Sequence, residues 1–282
     1  GYRFGKFAYI TDMKSMGEEE YAYLDGVETL VINALRFEKT HHSHQQVAMA
    51  IDYGEVRVTD PARQLKTIVL QNGRWDNAVT APRAEYVNTE GLSWKHCRQL
   101  IFDGGNEYHK FEMLDLSHTT MGLDSIFWDG SEAHAYVMAD LPRPNYVYDE
   151  SANGAFYIRN SDNIDNTFTS DYAWVHFLLQ APRQQGDVYL NGAWTQDSFL
   201  PPYRMEYNEA AKAYEGAVLL KQGYYSYRYV VVNADGTIKP VTTEGSFYQT
   251  RNKYQVLVYY KGVGDRTDRL LGYGEVMVKV ES

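Results

Sequence analysis

The sequence predicts an all-β fold made of two consecutive β-sandwich domains, and three observations support this prediction. The chain is rich in aromatic residues, with 25 Tyr, 11 Phe and 5 Trp in 282 residues, and such side chains suit half-buried pleated sheets. Successive side chains alternate in character along Val47–Ile51 and Tyr224–Tyr229, which is the period of a strand with one buried face. Turn residues separate many such short segments, a pattern typical of sandwiches and barrels.

Strand signals recur along almost the whole chain, whereas helical periodicity is scarce. One helix is predicted, over Met16–Leu24, and it is short and interrupted by Gly17. The predicted strands are Lys6–Ile10, Val27–Phe37, Gln46–Asp52, Leu65–Leu70, Glu107–Met113, Ala133–Met138, Ala155–Arg159, Ala173–Leu179, Asp187–Leu190, Tyr214–Leu220, Tyr224–Val232, Tyr254–Tyr260 and Glu275–Val280.

The predicted domain boundary lies in a polar segment, Asn160–Ser170, which is rich in Asn, Asp and Ser and lacks a hydrophobic period. The chain is therefore divided into a first sandwich over 27–160, a linker over 161–170 and a second sandwich over 171–282. Residues 1–26 are expected to be a separate N-terminal segment. This segment is either the remnant strand of a preceding domain or a stretch next to an expression tag.

The two halves also resemble each other at one constant offset. Val69–Trp75 and Val188–Trp194 both end in Asn-Gly-x-Trp, and Gly105–Phe111 and Gly223–Tyr229 both start an aromatic strand at a glycine. We infer a repeat of the same sandwich, each copy carrying a strand, an Asn-Gly turn, a Trp and a later strand that starts at Gly.

The charge and the cysteine count exclude several classes of partner and structure. Lys and Arg number 27 against 37 Asp and Glu, for a net charge of −10. Nucleic acids and anionic membrane surfaces favour basic patches, so neither is expected as the main partner. No apolar run approaches the roughly 18 residues of a membrane-spanning helix. Cys97 is the single cysteine, so no internal disulfide is possible.

Two motifs contain potential metal ligands, and neither predicts a metal site. The imidazoles in His41–His44 suit Zn²⁺ or Cu²⁺, but no further ligand pair stands nearby, which favours a polar loop between strands. Asp149–Gly154 copies the opening of a calcium loop, yet its twelfth position is Asn160 instead of a bidentate Glu. A turn with glycine at positive φ is favoured there, and we expect no metal and no cofactor.

Three residues are candidate contacts for a partner or ligand: Arg74, Trp75 and Trp194. Each Trp follows an Asn-Gly turn closely, where its ring either stays exposed for stacking on a sugar or partner or plugs the end of its own sandwich. Arg74 either stacks, pairs with Asp76 or stays solvated.

No sequence motif of nucleophilic, nucleotide-dependent or metal-dependent catalysis is present in the chain. A glycosidase-like pair of carboxylates leaves no mark in residue spacing, and that class stays open. The absence of motifs favours a protein without enzymatic activity.

The second half resembles an early-set immunoglobulin-type module of the glycogen-binding kind. Three segments carry this resemblance: Gly186–Trp194, Tyr214–Leu220 and Gly223–Tyr229. Together with the repeat, the resemblance implies two tandem immunoglobulin-like (early-set) β-sandwich domains. It also implies a sugar-binding platform, to which Trp194 corresponds.

A longer resemblance, from about Val27 to Val278, connects the chain to the plug protein family of the type IX secretion system in Bacteroidetes-type bacteria. The blocks that carry it are Gln71–Ala78, Gly104–Glu107, Phe156–Asn160, Asp171–Phe177, Lys221–Tyr225, Glu244–Tyr248 and Asp268–Gly274. Members of that family usually carry a further β domain before the matched part. Residues 1–26 are too few for such a domain, so we expect a truncated sequence or a shorter paralogue.

This resemblance implies a non-enzymatic protein of the periplasm, associated with the inner face of the outer membrane, whose leader is absent from this chain. It implies that the protein occludes the periplasmic end of a large outer-membrane barrel, which is the expected partner. The acidic chain suits basic groups at the mouth of that barrel. The alternative function is carbohydrate binding by exposed aromatic residues around Trp194.

Overall fold

A computed structural model describes residues 43–53 and 56–278 in full and, before them, the backbone of four strands. Strands make up 47 % of the structure and helices 7 %, which confirms the predicted all-β class. Across these described ranges, no helix is long and apolar enough to cross a membrane. The helix predicted over Met16–Leu24 lies outside the described residues.

The chain forms two compact units, and one of them is discontinuous in sequence. Unit 1 comprises Gly1–Gly104 and Phe247–Ser282, and unit 2 comprises Gly105–Ser246. The two ends of unit 2 lie together, since the Gly105 backbone N–H donates a hydrogen bond of 3.1 Å to Ser246 Oγ. Unit 2 is therefore an insertion within unit 1, which corrects the predicted sandwiches over 27–160 and 171–282 and their consecutive order.

Most strands of the first part of unit 1 are short. They are β1 (Tyr2–Phe4), β2 (Phe7–Ile10), β3 (Thr29–Ile32), β4 (Arg36–His41), β5 (His44–Asp52), β6 (Leu65–Gln71), β7 (Arg74–Thr80), β8 (Tyr86–Val87), β9 (Gly91–Trp94) and β10 (Ile101–Asp103), with helix α1 (Pro61–Gln64) and a 3-10 turn at Arg98–Leu100.

Unit 2 follows, and the chain then returns to unit 1. Unit 2 contains β11 (His109–Met113), β12 (Leu123–Trp128), β13 (Ala133–Val137), β14 (Phe156–Ile158), β15 (Tyr172–Leu179), β16 (Asp187–Asn191), β17 (Arg204–Asn208), β18 (Ala213–Lys221), β19 (Gly223–Val232) and β20 (Ile238–Pro240), with helix α2 (Asn166–Thr169) and 3-10 turns at Ala193–Thr195 and Pro201–Tyr203. The returning strands of unit 1 are β21 (Lys253–Tyr260) and β22 (Arg269–Met277).

The described residues of unit 1 form three sheets, of which two enclose its core. The order of the five-stranded sheet is β10-β5-β9-β8, with β4 also on β5, and that of the four-stranded sheet is β22-β21-β6-β7; a smaller sheet has the order β1-β2-β3. Val47 and Trp94 from the first sheet and Val69 from the second are buried in one cluster. The rings of Phe102 and Tyr254 meet in this core at 5.1 Å between centroids.

Unit 2 is a single sheet that folds back on itself around one core. Its strand order is β11-β19-β16-β17-β18-β15-β13-β12, and β14 and β20 also pair with β19. Phe177 of β15 contacts Phe111 of β11 at 5.8 Å and Tyr227 of β19 at 5.2 Å between ring centroids. Since β15 and β19 are not neighbours in the sheet, these contacts require its two ends to face each other.

The predicted internal repeat differs from the structure in its first pair of segments. Asn72 and Gly73 have φ of 56° and 72° and close the β6–β7 hairpin, as the Asn-Gly pattern predicts. Asn191 ends β16 and Gly192 is extended, with φ of −178°, before the 3-10 turn. The same dipeptide therefore makes two different structures.

The second pair of segments also contradicts the repeat. Both belong to unit 2, where β11 and β19 lie side by side as antiparallel neighbours with Phe111 opposite Tyr225. Each strand alternates large inward residues because both cover the same core. This shared environment accounts for their similar sequences without a tandem repeat.

The segment 161–170, predicted to be a linker, is an ordered turn inside unit 2. Asn160 is buried, and its Nδ2 donates a hydrogen bond of 2.8 Å to Thr169 Oγ1. Its Oδ1 accepts the backbone N–H groups of Asp162 and Asn163 at 3.1 and 3.0 Å. Asn and Asp favour such self-bonded turns, so the composition that indicated a linker belongs here to a folded turn.

A buried network of amide side chains joins the sheets of unit 1. Asn252 Nδ2 donates to Gln45 Oε1 at 3.0 Å, and Asn72 Nδ2 donates to Asn252 Oδ1 at 2.8 Å. Tyr254 Oη donates to the same Gln45 oxygen at 2.8 Å and accepts from Gln71 Nε2 at 3.0 Å. Each side chain of the network satisfies a hydrogen-bonding group of its neighbour. These hydrogen bonds offset the free-energy cost of burying polar groups in the core.

We expect Asn252→Ala to lower the free energy of unfolding by about 2–3 kcal/mol, because it leaves buried partners of the network unsatisfied. Chemical denaturation followed by circular dichroism measures the change. Asn145→Ala is the matched control: Asn145 is exposed, and its replacement should change stability by less than about 0.5 kcal/mol. Equal effects of the two substitutions would contradict a stabilising role of the network.

Candidate binding face

The structure places the three predicted contact residues in different surroundings. Trp75 is 59 % exposed on β7 of unit 1. Arg74 beside it is buried and donates to both oxygens of Asp76, at 2.9 Å from Nε and 2.6 Å from an Nη atom. Among the alternatives for Arg74, the structure therefore selects the ion pair with Asp76.

Trp194 packs against the core of unit 2 instead of forming an exposed platform. Its ring lies 5.7 Å from that of Tyr225 and 5.9 Å from that of Tyr203, both edge to face, and is stacked at 6.3 Å on Phe177. Its Nε1 donates a hydrogen bond of 3.0 Å to the Ser226 carbonyl oxygen. The ring is thus occupied by its own domain, which matches the second of the two interpretations of this residue.

The two metal-ligand motifs have structural roles where they are described. His44 pairs with Asp103 at 3.1 Å, while the side chains of His41 and His42 lie outside the described residues. Within the described part of the chain, no group of three or more potential ligands is present. Asn153 and Gly154 have φ of 50° and 89°, so the predicted turn with glycine at positive φ is confirmed.

A solvent-facing surface on the outer side of unit 2 carries a concentration of aromatic rings. Along β13 and β15 the residues alternate between buried and partly exposed, so the inward set forms the core and the outward set faces solvent. Phe127 of β12 pairs with His134 and projects on the same side, with 48 % of its surface exposed. We call this surface the aromatic face and define it as Phe127, His134, Tyr136, Trp174 and His176.

Four rings of the aromatic face stand nearly parallel and stack from strand to strand. Phe127 on β12 lies 5.1 Å from His134 and 5.9 Å from Tyr136 on β13, with interplanar angles of 13° and 16°. His176 on β15 lies 5.1 Å from His134 and 4.3 Å from Tyr136, with angles of 28° and 6°. Cross-strand pairs of this kind hold their side chains rigidly.

Hydrogen bonds fix the remaining orientations on the aromatic face. His134 Nδ1 lies 2.8 Å from His176 Nε2, and His134 Nε2 lies 3.2 Å from Asp129 Oδ2. Trp174 Nε1 donates to Glu132 Oε2 at 2.8 Å. Burial and the neighbouring His134 lower the pKa of His176, so the ring of His176 is uncharged at neutral pH.

A groove of about 710 Å³ borders the aromatic face. Tyr136 and His176 of this face line it, together with Leu178 and Ala217. It is more apolar than polar in its lining and open to solvent. Such a groove suits the contact side chains of a partner protein better than a fully enclosed small molecule.

Unit 2 also contains a buried ion cluster, which is centred on His109. His109 Nδ1 lies 2.7 Å from Asp140 Oδ1, and its Nε2 lies 3.0 Å from Glu244 Oε2. Arg143 also pairs with Glu244. A cavity of about 320 Å³ opens beside the cluster and is lined in part by Lys110.

The charges of this cluster set its protonation. Burial alone would lower the pKa of His109, but Asp140 and Glu244 outweigh burial and raise this pKa to about 9. Burial alone would raise the pKa of Glu244, but His109 and Arg143 hold it below its usual value. Because carboxylates engage both ring nitrogens, the imidazolium has no lone pair for general-base catalysis. The cluster suits stabilisation of the fold.

Two tyrosines complete the cluster from the core side. Tyr227 and Tyr229 donate hydrogen bonds of 2.8 and 2.7 Å to Asp140 Oδ2. Burial, together with the Asp140 charge, raises the pKa of both phenols. The carboxylate of Asp140 thus receives partners on both oxygens, as a buried charge requires.

Sequence reasoning missed both the aromatic face and the ion cluster. The outward positions of Tyr172–Leu179 and Ala133–Val137 carry rings where an ordinary solvated strand carries charges, and this signal could have indicated the face. The edge strand Leu123–Trp128 was not among the predicted strands, so no sequence pattern placed Phe127 beside the rings of the neighbouring strands. The partners of His109 lie far apart in the chain, at Asp140 and Glu244, and leave no spacing pattern.

Comparison with known proteins places the fold but assigns no activity. No family model matches the sequence. An octanoyltransferase of Porphyromonas gingivalis (strain ATCC BAA-308 / W83) is 46 % identical over 52 residues, which are 18 % of this chain and 11 % of that protein. A hypothetical protein from Parabacteroides merdae ATCC 43184, known from its crystal structure, superposes with a TM-score of 0.80 at 36 % identity.

The match to the Parabacteroides merdae protein covers 88 % of this chain and 66 % of that one. The chain therefore spans a small part of the octanoyltransferase and just under two thirds of the hypothetical protein. The high TM-score over most of the chain indicates that the two proteins share one fold.

We expect the stability of the protein to fall as the pH rises above about 6.5, because His109 keeps its proton in the folded state and loses it when unfolded. A folded pKa of about 9 against 6.5 makes this contribution complete below 6.5 and absent above 9. It amounts to up to about 3 kcal/mol. Denaturant unfolding across this range measures it.

His109→Gln should remove this decline, and His118→Gln is its control. His118 is exposed and pairs with Asp115 at 3.0 Å at the surface, so its loss should leave the decline intact. A slope that is the same in wild type and His109→Gln would show that another group titrates.

Proposed function

We propose that this chain is a non-enzymatic plug or gating subunit that occludes the periplasmic end of the outer-membrane barrel of a type IX secretion translocon. In this proposal the protein acts in the periplasm at the inner face of the outer membrane, and the barrel protein is its partner. Neither nucleic acid nor membrane insertion is involved. The sequence blocks of the plug family and the aromatic face support it, and the aromatic face is the observation that carries it.

The dimensions and composition of the aromatic face suit the centre of a protein interface. Three neighbouring strands spaced about 4.8 Å apart, each about five residues long, give an area on the order of 250 Å². A stable interface needs about 800 Å² on each partner. The aromatic face would therefore form the central contact, where Trp and Tyr supply most binding energy, and surrounding polar residues would complete the rim.

The fold supports a finer proposal about unit 2, namely that it is an immunoglobulin-like sandwich of the early-set kind. The three segments that resemble such modules fall on β16, β18 and β19, which belong to one folded sheet. Strands β16 and β19 are antiparallel neighbours, with Leu190 opposite Tyr229. For unit 1, whose two parts are separated by unit 2, the tandem arrangement has no support.

Carbohydrate binding around Trp194 is the less favoured alternative. The ring of Trp194 packs on Phe177 and Tyr225, and a sugar needs a free ring face. On the aromatic face, four of the rings stack on one another. The match to the octanoyltransferase covers 11 % of that protein, which is too little to propose its activity here.

Recovery of the barrel by the tagged protein tests the proposed function. From detergent extracts of its own organism, the chain should recover the large type IX barrel, identified by mass spectrometry. The double substitution Phe127→Ala and Trp174→Ala should reduce recovery at least about tenfold, since each buried aromatic anchor contributes 2 kcal/mol or more to an interface.

The control is Phe168→Ala, which removes an aromatic ring that is 88 % exposed elsewhere on unit 2. Its recovery of the barrel should equal that of the wild type. Absence of the barrel, while another translocon subunit is still recovered by its own partner, would reject the plug function, and a glycan array would then test the alternative.

A further inference from the structure

The ring stack of the aromatic face stops abruptly at one strand. Phe127, His134 with Tyr136, and His176 supply its layers on β12, β13 and β15. On the next strand, β18, the residue opposite His176 is Ala217. A methyl group stands where each previous strand carries a ring, so the stack ends at His176, which lines the groove together with Ala217.

This end of the groove has a defined chemical lining. We call it the slot and define it as Tyr136, His176, Leu178, Glu215 and Ala217, which all line the groove. Glu215 lies opposite Leu178 and two residues before Ala217, so it projects from the same side of β18 as Ala217. The slot thus combines a flat π-surface, an aliphatic floor and a carboxylate at its rim.

The carboxylates around the slot have no cationic partner in the described residues. Glu215 Oε1 accepts a hydrogen bond of 3.0 Å from Asn208 Nδ2, and Asp124, which also lines the groove, accepts one of 3.2 Å from Ser125 Oγ. Neither forms a salt bridge with any side chain of the described part of the chain. Glu132 beside Trp174 adds a third negative charge to this face.

We propose that the slot receives the guanidinium group of an arginine side chain from the protein partner, stacked on His176 and paired with Glu215. This inference rests on the proposed function, because it names the chemistry of the partner at the aromatic face. The partner segment is therefore expected to be basic, in keeping with the net charge of −10 of this chain.

Three properties favour arginine over other occupants. A guanidinium is planar and stacks on ring faces, whereas the ammonium of lysine is a compact and strongly hydrated charge. Its fork of N–H donors fits a carboxylate side by side. An uncharged sugar would leave the carboxylates without a counter-charge. The neutral ring of His176 does not repel the cation.

The test uses short peptides that differ in one side chain. The purified full chain, labelled at histidine rings and alanine methyl groups, is titrated with acetyl-Gly-Arg-Gly-amide and followed by NMR. The same titration is repeated with the citrulline and lysine peptides. We expect the arginine peptide to shift the signals of His176 and Ala217, with an affinity about threefold to fivefold higher than that of the citrulline peptide, as for an exposed ion pair.

Two substitutions and one control locate the effect. Glu215→Gln should reduce the affinity for the arginine peptide to that for the citrulline peptide, and Ala217→Phe should fill the slot and abolish the shifts. Glu90→Gln, an exposed glutamate of unit 1, should change nothing. If Ala217→Phe does not fold, as judged by circular dichroism, Glu215→Gln alone decides the question.

The inference is overturned if the arginine and citrulline peptides bind equally, if the lysine peptide matches the arginine peptide, or if the shifts survive Glu215→Gln. These outcomes are separable from those of the barrel recovery. Arginine binding without recovery of the barrel rejects the plug function and leaves the slot established. Recovery of the barrel without arginine binding rejects the slot alone.

Discussion

Unit 2 depends on the strict alternation of side chains along β15. Phe177 and Val175 point inward and hold the two ends of the folded sheet together, while Trp174 and His176 point outward and build the aromatic face. Because the side-chain period of a strand is two, a slip of one residue would expose the core rings and bury the imidazole. The register of β15 therefore determines both the core of unit 2 and the candidate binding surface.

The ion cluster meets a different demand, that of placing a charge inside a β-sandwich. Isolated burial of an imidazolium would be costly, so His109 is held between Asp140 and Glu244, and the phenols of Tyr227 and Tyr229 satisfy the rest of Asp140. This cluster gives one physical reason for the high tyrosine content of the chain. A phenol adds bulk to the core and can still satisfy a buried carboxylate at its tip.

Local sequence patterns predicted local structure well. Composition and spacing did not predict features that depend on contacts between residues far apart in the chain. The alternation in Val47–Ile51 and the turn at Asn72 follow from rules that act over a few residues. The role of Trp194 stayed open because the ring's burial depends on distant strands. The polar segment 161–170 misled as a linker, since Asn and Asp serve ordered turns and loose linkers alike. The partners of His109 come together through the fold, beyond the reach of spacing.

The insertion of unit 2 has a consequence for the order of folding. Gln71 of β6 pairs with Tyr254 of β21. Strand β21 is synthesised only after the whole of unit 2. Domains generally fold as units during synthesis, and a folded unit 2 brings Gly105 and Ser246 within hydrogen-bonding distance. Folding of unit 2 then shortens the loop between the two strands about fourfold, which saves about 1 kcal/mol of closure entropy. A folded unit 2 thus brings together in space the two chain segments from which unit 1 is built.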